Sequence, residues 1–385
     1  MNIKIFYKIK DLFWINSLSV LLFLFYFSEG YGKFFIGFYD ERPHSVKAIK
    51  LIVLLLLFLC LFKSLKFLFQ LFLIITVFII GQLFIIPNFT LPILIILSKY
   101  LFPILLFTYY NKLKLSSNAF YRLMQVFELI IIINGIFILL GFIFDIQIFR
   151  TYSGSRFGYN GLLITSATSS YFYIISLLYY LIKKKEFFIH TPKVYFLILT
   201  ALLVGTRSIY LSVFCILFYY FIFYSKTKYK NLGFLTILLC GFYSIYFTLF
   251  KWEIFNKILE RESLITAVLS YRDKLLLDKM IPFIQENWTI GNYFFGGIND
   301  PHTRSQLALF DLFYFFGLTG MLLYLWSYLT NYLKFDFKKN IIFSLLLLGI
   351  IVFISGNFFF NASIPIYLLI LREMIIHTQR ENKMN

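Results

Sequence analysis

From residue 12 to residue 378 the chain keeps returning to runs of Phe, Leu and Ile close to twenty residues long. A helix needs roughly 20 mostly apolar residues to cross the hydrocarbon of a bilayer. No water-facing shell could hide so many such runs. Sixty per cent of the residues are hydrophobic, 14% are charged, and 52 Phe and 29 Tyr are present. Soluble domains carry about 25% charged residues. Mean hydropathy is +0.81. The runs are also too long and too continuous for the alternating strands of an outer-membrane barrel. The sequence therefore predicts an all-α, polytopic helical bundle forming a single transmembrane domain over 1–385.

Twelve segments qualify as spans: about 12–28, 51–62, 67–87, 91–110, 123–144, 163–182, 187–205, 208–225, 232–250, 307–331, 341–358 and 363–378. The start, MNIKIFYKIK, is basic and leads into the first run without a small-residue cleavage site, so that run reads as a retained first span. Excess Lys and Arg mark the cytoplasmic side. With the N-terminus inside, the inner segments hold 20 Lys/Arg against 5 Asp/Glu, and the outer segments hold 14 against 11. Lys183, Lys184 and Lys185, with Lys226, Lys228 and Lys230, bracket one helical hairpin and put both its ends inside. Both termini are then cytoplasmic. The net charge of +18 reads as topology and anionic-lipid contact, with membrane lipids as partners and no nucleic acid.

Other chemistries lack their signatures. Cys60, Cys215 and Cys240 lie far apart in apolar runs and read as small buried hydrophobes. The four His are scattered, so no metal-ligand spacing exists and no metal or cofactor is expected. Nucleotide-binding glycine loops are missing as well.

One long hydrophilic stretch, 251–306, reads as a large periplasmic or extracellular loop. It carries an amphipathic helical pattern near 263–286 and then the turn-rich GNYFFGGINDPHTR. Long loops in compact proteins are usually functional.

Charged and polar groups at the hydrocarbon edge carry the functional information. Arg207, in VGTRSIYLS, sits at a sharp break between two apolar runs; the plain alternative is an arginine snorkelling to headgroups. Arg150 and Arg156 lie in DIQIFRTYSGSRFGYNG, a Gly/Asn-rich turn that includes Tyr159 and Asn160. Arg272 opens SYRDKLLLDKMIPFIQ, where a helix would put Lys279 on the same face; the plain alternative is a surface helix salt-bridged through Asp273 and Asp278. His302 follows a turn at Asn299-Asp300-Pro301, and Asp311 lies about one turn into the next span. Arginine forks grip phosphate bidentately and stabilise charge on a leaving group. A carboxylate or an imidazole can take a proton from an acceptor hydroxyl. The set fits a substrate with an apolar tail and a pyrophosphate at headgroup level.

Four patches in this order resemble the O-antigen polymerase and O-antigen ligase superfamily of bacterial envelope glycan assembly. They are GTRSIYLS, SGSRFGYNG, SYRDKLLLDKMIPFI…GNYFFGGI, and PHTRSQLALFDLFYFFGLTG with Gly317 and Gly320. The similarity covers roughly 150–320. Thr206 stands where the family more often has Ser, and His302-Thr303 where the ligase branch often has His-Asn, so the pattern is closer to a polymerase.

The resemblance implies a metal-independent, inverting glycosyl transfer at the outer face of the bacterial inner (plasma) membrane. A glycan on undecaprenyl pyrophosphate would pass to a lipid-linked repeat unit of O-antigen, capsule or exopolysaccharide. Arg207 and Arg272 would hold pyrophosphates, and Arg156 would assist. Asp311 or His302 would act as base or orient the acceptor, with Arg150, Lys279, Tyr159 and Asn160 on the substrate-binding side. A chain-length regulator and a flippase are candidate protein partners. The alternatives are a ligase transferring the glycan to lipid A-core, a lipid-linked oligosaccharide flippase, which would bury its charges at the membrane midplane, and a structural membrane protein.

Overall fold

A computed structural model describes residues 3–384 apart from 42, 86–89, 114, 153, 155, 226–230, 232, 237, 240, 242, 244–257 and 301; for 3–16 it describes the backbone. Lys226, Lys228, Lys230, Cys240, Pro301, much of 232–250 and the first part of the long loop lie outside the described residues.

The chain forms helices α1 (Ile3–Tyr39), α2 (His44–Leu61), α3 (Leu65–Leu83), α4 (Leu91–Lys112), α5 (Ser117–Phe144), α6 (Ser166–Lys184), α7 (Pro192–Leu203) and α8 (Arg207–Phe223). Four short helices of the loop follow: α9 (Leu264–Leu269), α10 (Arg272–Leu275), α11 (Ile281–Asn287) and α12 (Ile290–Phe295). The chain ends in α13 (Ala308–Tyr332), α14 (Lys339–Ser355) and α15 (Ile364–Met384). Among the described residues, six stretches are long and apolar enough to cross a membrane: Ser17–Tyr39, α2, α3, α4, α5 and α13. Helices α7, α8 and α14 are apolar but shorter. The protein is thus an all-helical membrane protein. Large apolar side chains such as Leu55, Phe69, Leu129, Ile143 and Leu346 are exposed along its helices, as lipid-facing residues are.

Helix α6 shows how a helix rich in hydroxyl side chains is buried in this fold. It carries Ser166, Thr168, Ser169, Ser170 and Ser176, yet Thr168 to Ile182 are buried without a gap. Ser169, Ser170 and Ser176 return their hydroxyls to backbone carbonyls one turn back, which satisfies them inside the helix. Small residues also let neighbouring helices approach closely. Helix α6 forms the central column, packed on α7, α8, α14 and α15, and its Tyr173 and Tyr179 reach Asn134 and Glu128 of α5. At its far end Lys183 and Lys193 both bind Glu128 of α5, at 2.5 and 2.7 Å. Nearby in the fold's lysine-rich end, the fully buried Arg372 joins Asn111, the Asn331 carbonyl and Glu373, tying α15 to α4 and α13.

Three expectations are corrected. The first helix does not stop near residue 28 but runs to Tyr39, so Glu29 and Lys33 are buried in the bundle and not in an external segment. Each is held: Glu29 by Lys50 at 2.7 Å and by Ser363, Lys33 by Asn160. Cys60 is exposed on the apolar face of α2 and not buried. The amphipathic pattern at 263–286 is no single helix. It breaks at Ser270 and Tyr271, both with positive φ, and contains one π turn, Leu276–Met280. That break and turn take Lys279 off the face of Arg272 and leave it exposed.

Candidate functional site: an arginine cluster at one end of the bundle

Two helices begin side by side at the end opposite the lysine-rich one. Thr165 caps α6 by accepting from the Thr168 amide. The chain leaves α7 after Leu203, turns at Gly205 and enters α8 at Arg207. Gly205 has φ +73°, and a Cβ there would lie 2.5 Å from the Phe157 carbonyl, so the turn needs glycine. The Ser170 and Thr206 hydroxyls, 2.8 Å apart, join the two helix starts. Helix N-termini carry partial positive charge and exposed amides.

The 150–161 segment lies across these starts. The Tyr159 amide donates to the Leu203 carbonyl and the Thr151 hydroxyl to the Val204 carbonyl. The fold thereby carries Tyr152 beside Ser166 at the start of α6. Arg156 stacks its guanidinium 3.7 Å above the Tyr152 ring. Arg207 and Arg272 act on the same phenol. Burial raises the Tyr152 phenol above its ordinary pKa, and the three arginines pull the other way. Burial likewise holds the Arg272 guanidinium below its usual value, with neighbouring Arg156 adding to it.

Arg207 and Arg272 each use part of the fork to dock the loop. Arg207 Nη1 donates to the Ala267 and Val268 carbonyls at the end of α9. Arg272 Nη1 donates to the Ile354 carbonyl in the last turn of α14, at 2.9 Å. Last-turn carbonyls lack intrahelical partners and favour a cation. Among the described residues, Arg156 and Arg272 form no salt bridge with a carboxylate. The result is Arg156 stacked on Tyr152 with Arg207 and Arg272 within electrostatic reach, beside two helix N-termini. Such a group of donors holds a di- or polyanion.

The other sequence candidates fall into three places. Arg150 pairs with Asp145 at 2.6 Å, and the Tyr159 hydroxyl donates to the same carboxylate at 2.7 Å. These two brace the α5–α6 connection; they are not part of the cluster. Asn160 is buried and accepts from Lys33, and its carbonyl receives Asn134. Its role is also to hold the connection. Asp311 is buried and lies within electrostatic reach of Arg272. Its Oδ1 accepts from the Ser305 hydroxyl and the Gln306 amide, and Oδ2 faces Arg304 at 3.6 Å. Those partners make it the anchor of the turn into α13. His302 is exposed on that turn, where its amide donates to Asp300.

Sequence reasoning missed Tyr152, four residues before Arg156 on the same turn. It also missed Arg304 and Phe360, which stack at 3.8 Å beside a small cleft lined by Tyr100, Asp300, Asp311 and Tyr314. The local spacing of Tyr152 and Arg156 could have signalled the first; Phe360 is far away in sequence and could not be paired with Arg304 without the fold. Among the described residues no group of three or more His, Cys, Asp or Glu could hold a metal ion. Compared with protein-family models, with curated proteins and with solved structures, the chain matches none.

Proposed function

We propose that this protein is a polysaccharide repeat-unit polymerase acting on a glycan carried by a polyprenyl pyrophosphate. The reading includes a twelve-span arrangement with both termini in the cytoplasm and the arginine cluster at the outer face of a bacterial plasma membrane. The observation that carries it is the gathering of Arg156, Arg207 and Arg272 around Tyr152, with Arg156 and Arg272 lacking a carboxylate among the described residues. Half-buried guanidinium groups crowded together repel each other, and a bound anion relieves that repulsion. A diphosphate at headgroup level supplies two neighbouring anionic groups, which suits several forks at once.

In the reaction the acceptor sugar's hydroxyl oxygen attacks the anomeric carbon of the donor. The bond from that carbon to the pyrophosphate oxygen breaks, and the lipid pyrophosphate leaves with the electron pair. The arginines stabilise the charge growing on it. The hydroxyl proton passes to a base. Both Asp311 oxygens are engaged, so the exposed His302 is the better placed of the two acceptor-side candidates.

The test is polymer formation by Arg156→Ala and Arg272→Ala proteins present at normal levels. Loss of one charge-stabilising donor costs roughly 10²–10³-fold in turnover, so both variants should make only short or single repeats. Arg156→Ala is the cleaner arm, because Arg272 also caps α14. Normal polymer length in both would remove the proposed site.

A further inference from the structure

Helix α14 ends beneath the arginine cluster, and its exposed face is not a smooth cylinder. Leu346, Gly349, Ile350 and Phe353 recur at helical spacing and share that face. With Leu345 and Ile354 they line a shallow groove of about 380 Å³, open on its outer side. Gly349 makes the dip: a Cβ built there meets nothing within 4 Å among the described residues. The upper wall is Ile354, and its carbonyl is the one that takes the Arg272 hydrogen bond. From Leu345 to Ile354 the helix rises about 13 Å. One leaflet's hydrocarbon is about 15 Å deep, half of the ≈ 30 Å core.

We infer that this groove is the seat of the first part of the polyprenyl chain whose pyrophosphate lies among the arginines. The inference rests on the pyrophosphate reading and extends it from the headgroup to the tail. Charge complementarity chooses the occupant. The groove is apolar along its length and meets the Arg272 guanidinium at its Ile354 end, and a lipid pyrophosphate joins an apolar chain to an anion in the same way. A second copy of this chain or another helix would seat on the glycine too, but neither brings an anionic group to the guanidinium at the groove's end. Within a bilayer an apolar chain gains little by leaving other lipid tails. Selection must then come from shape, and the missing side chain at Gly349 supplies shape. Seating the chain here fixes the direction from which the diphosphate reaches Arg272.

The experiment uses the full-length protein in lipid nanodiscs and measures binding of three probes: inorganic pyrophosphate, a long-chain polyprenyl pyrophosphate, and phosphatidylglycerol. Gly349→Phe fills the groove, Leu346→Trp narrows it should the first variant fail to fold, and Leu55→Trp on the exposed face of α2 is the control. The expected result is about a tenfold loss of polyprenyl pyrophosphate affinity in either groove variant, the scale on which a filled apolar pocket discriminates. Inorganic pyrophosphate should bind as to the unmodified protein, which also reports an intact fold, and Leu55→Trp should change nothing. Unaltered polyprenyl pyrophosphate affinity in both groove variants, with inorganic pyrophosphate still bound, would overturn the tail site and leave the pyrophosphate reading standing. An equal loss of phosphatidylglycerol would overturn it too, by making the groove an ordinary lipid seat, as would a Gly349→Phe protein that merely falls from dimer to monomer. Failure of the unmodified protein to bind either pyrophosphate probe would sink both readings together.

Discussion

The arginines at the site do two jobs with one planar group. Arg207 and Arg272 each present five donors; one nitrogen of Arg207 is committed to carbonyls of the docked loop, and one nitrogen of Arg272, in the loop, to the Ile354 carbonyl of α14. A rigid planar fork can meet such a carbonyl and a second oxygen acceptor at the same time. Lysine has three donors on one flexible point charge and lacks the planar fork that grips an anion bidentately. Asp311 shows the opposite case, a charged residue consumed by its neighbours. Ser305, Gln306 and Arg304 surround a carboxylate that is 4% exposed. Removing one partner of a buried pair costs about 3–5 kcal/mol, so Asp311→Ala should lower the melting temperature sharply and reduce folded yield. Asp311→Asn keeps an oxygen for Ser305 and Gln306 and should retain most of its activity per folded molecule. A fully folded Asp311→Asn protein with no turnover would make the aspartate the base and reverse this assignment.

At the scale of elements, the loop is held against the bundle by backbone-to-backbone packing that only glycine allows. Helix α12 lies against α3 and against the kink of α13 at Gly317, whose φ is +64°. A Cβ at Gly81 would stand 2.1 Å from the Phe295 carbonyl oxygen, and one at Gly317 2.4 Å from the Gly296 nitrogen. Asn292 fills the same junction, donating to the Gly81 and Gly296 carbonyls, while Gln82 and Ile298 exchange two hydrogen bonds. Backbone cannot yield as a side-chain tip can. Overpacking costs about 1–3 kcal/mol, so Gly81→Ala should fall at the upper end and loosen α12. Limited proteolysis should then cut within 288–300 faster than in the unmodified protein, while the lysine-rich end keeps its resistance. Unchanged cleavage would mean the loop is anchored elsewhere, through Arg207 and Arg272 alone.

Across the whole molecule, what could be read from the sequence was what depends on local composition. Apolar runs gave the helical membrane class, and the break at Thr206-Arg207 lies where two runs meet without a loop. The convergence of Arg156, Arg207 and Arg272 on one end followed from charge placement and resemblance. Features that depend on partners distant in the chain were illegible. Glu29 and Lys33 read as external because nothing local reveals Ser363, Lys50 or Asn160. Arg150 and Tyr159 read as ligand contacts because Asp145 looked like any loop carboxylate. Lys279 was misplaced by a π turn, which shifts the helical phase after it. The same global logic leaves one claim open to direct measurement, the sidedness of the bundle. Lys183, Lys184, Lys334, Lys338 and Lys339 all belong to the end opposite the arginine cluster. Positively charged loops stay on the cytoplasmic side, so the cluster should face outward. In a protein whose three cysteines are replaced by serine, an exposed Asp300→Cys should react with a membrane-impermeant maleimide on intact cells, and Lys338→Cys only after permeabilisation. The reverse pattern would place the arginines in the cytoplasm, where a pyrophosphate-linked acceptor chain on the outer leaflet could never reach them.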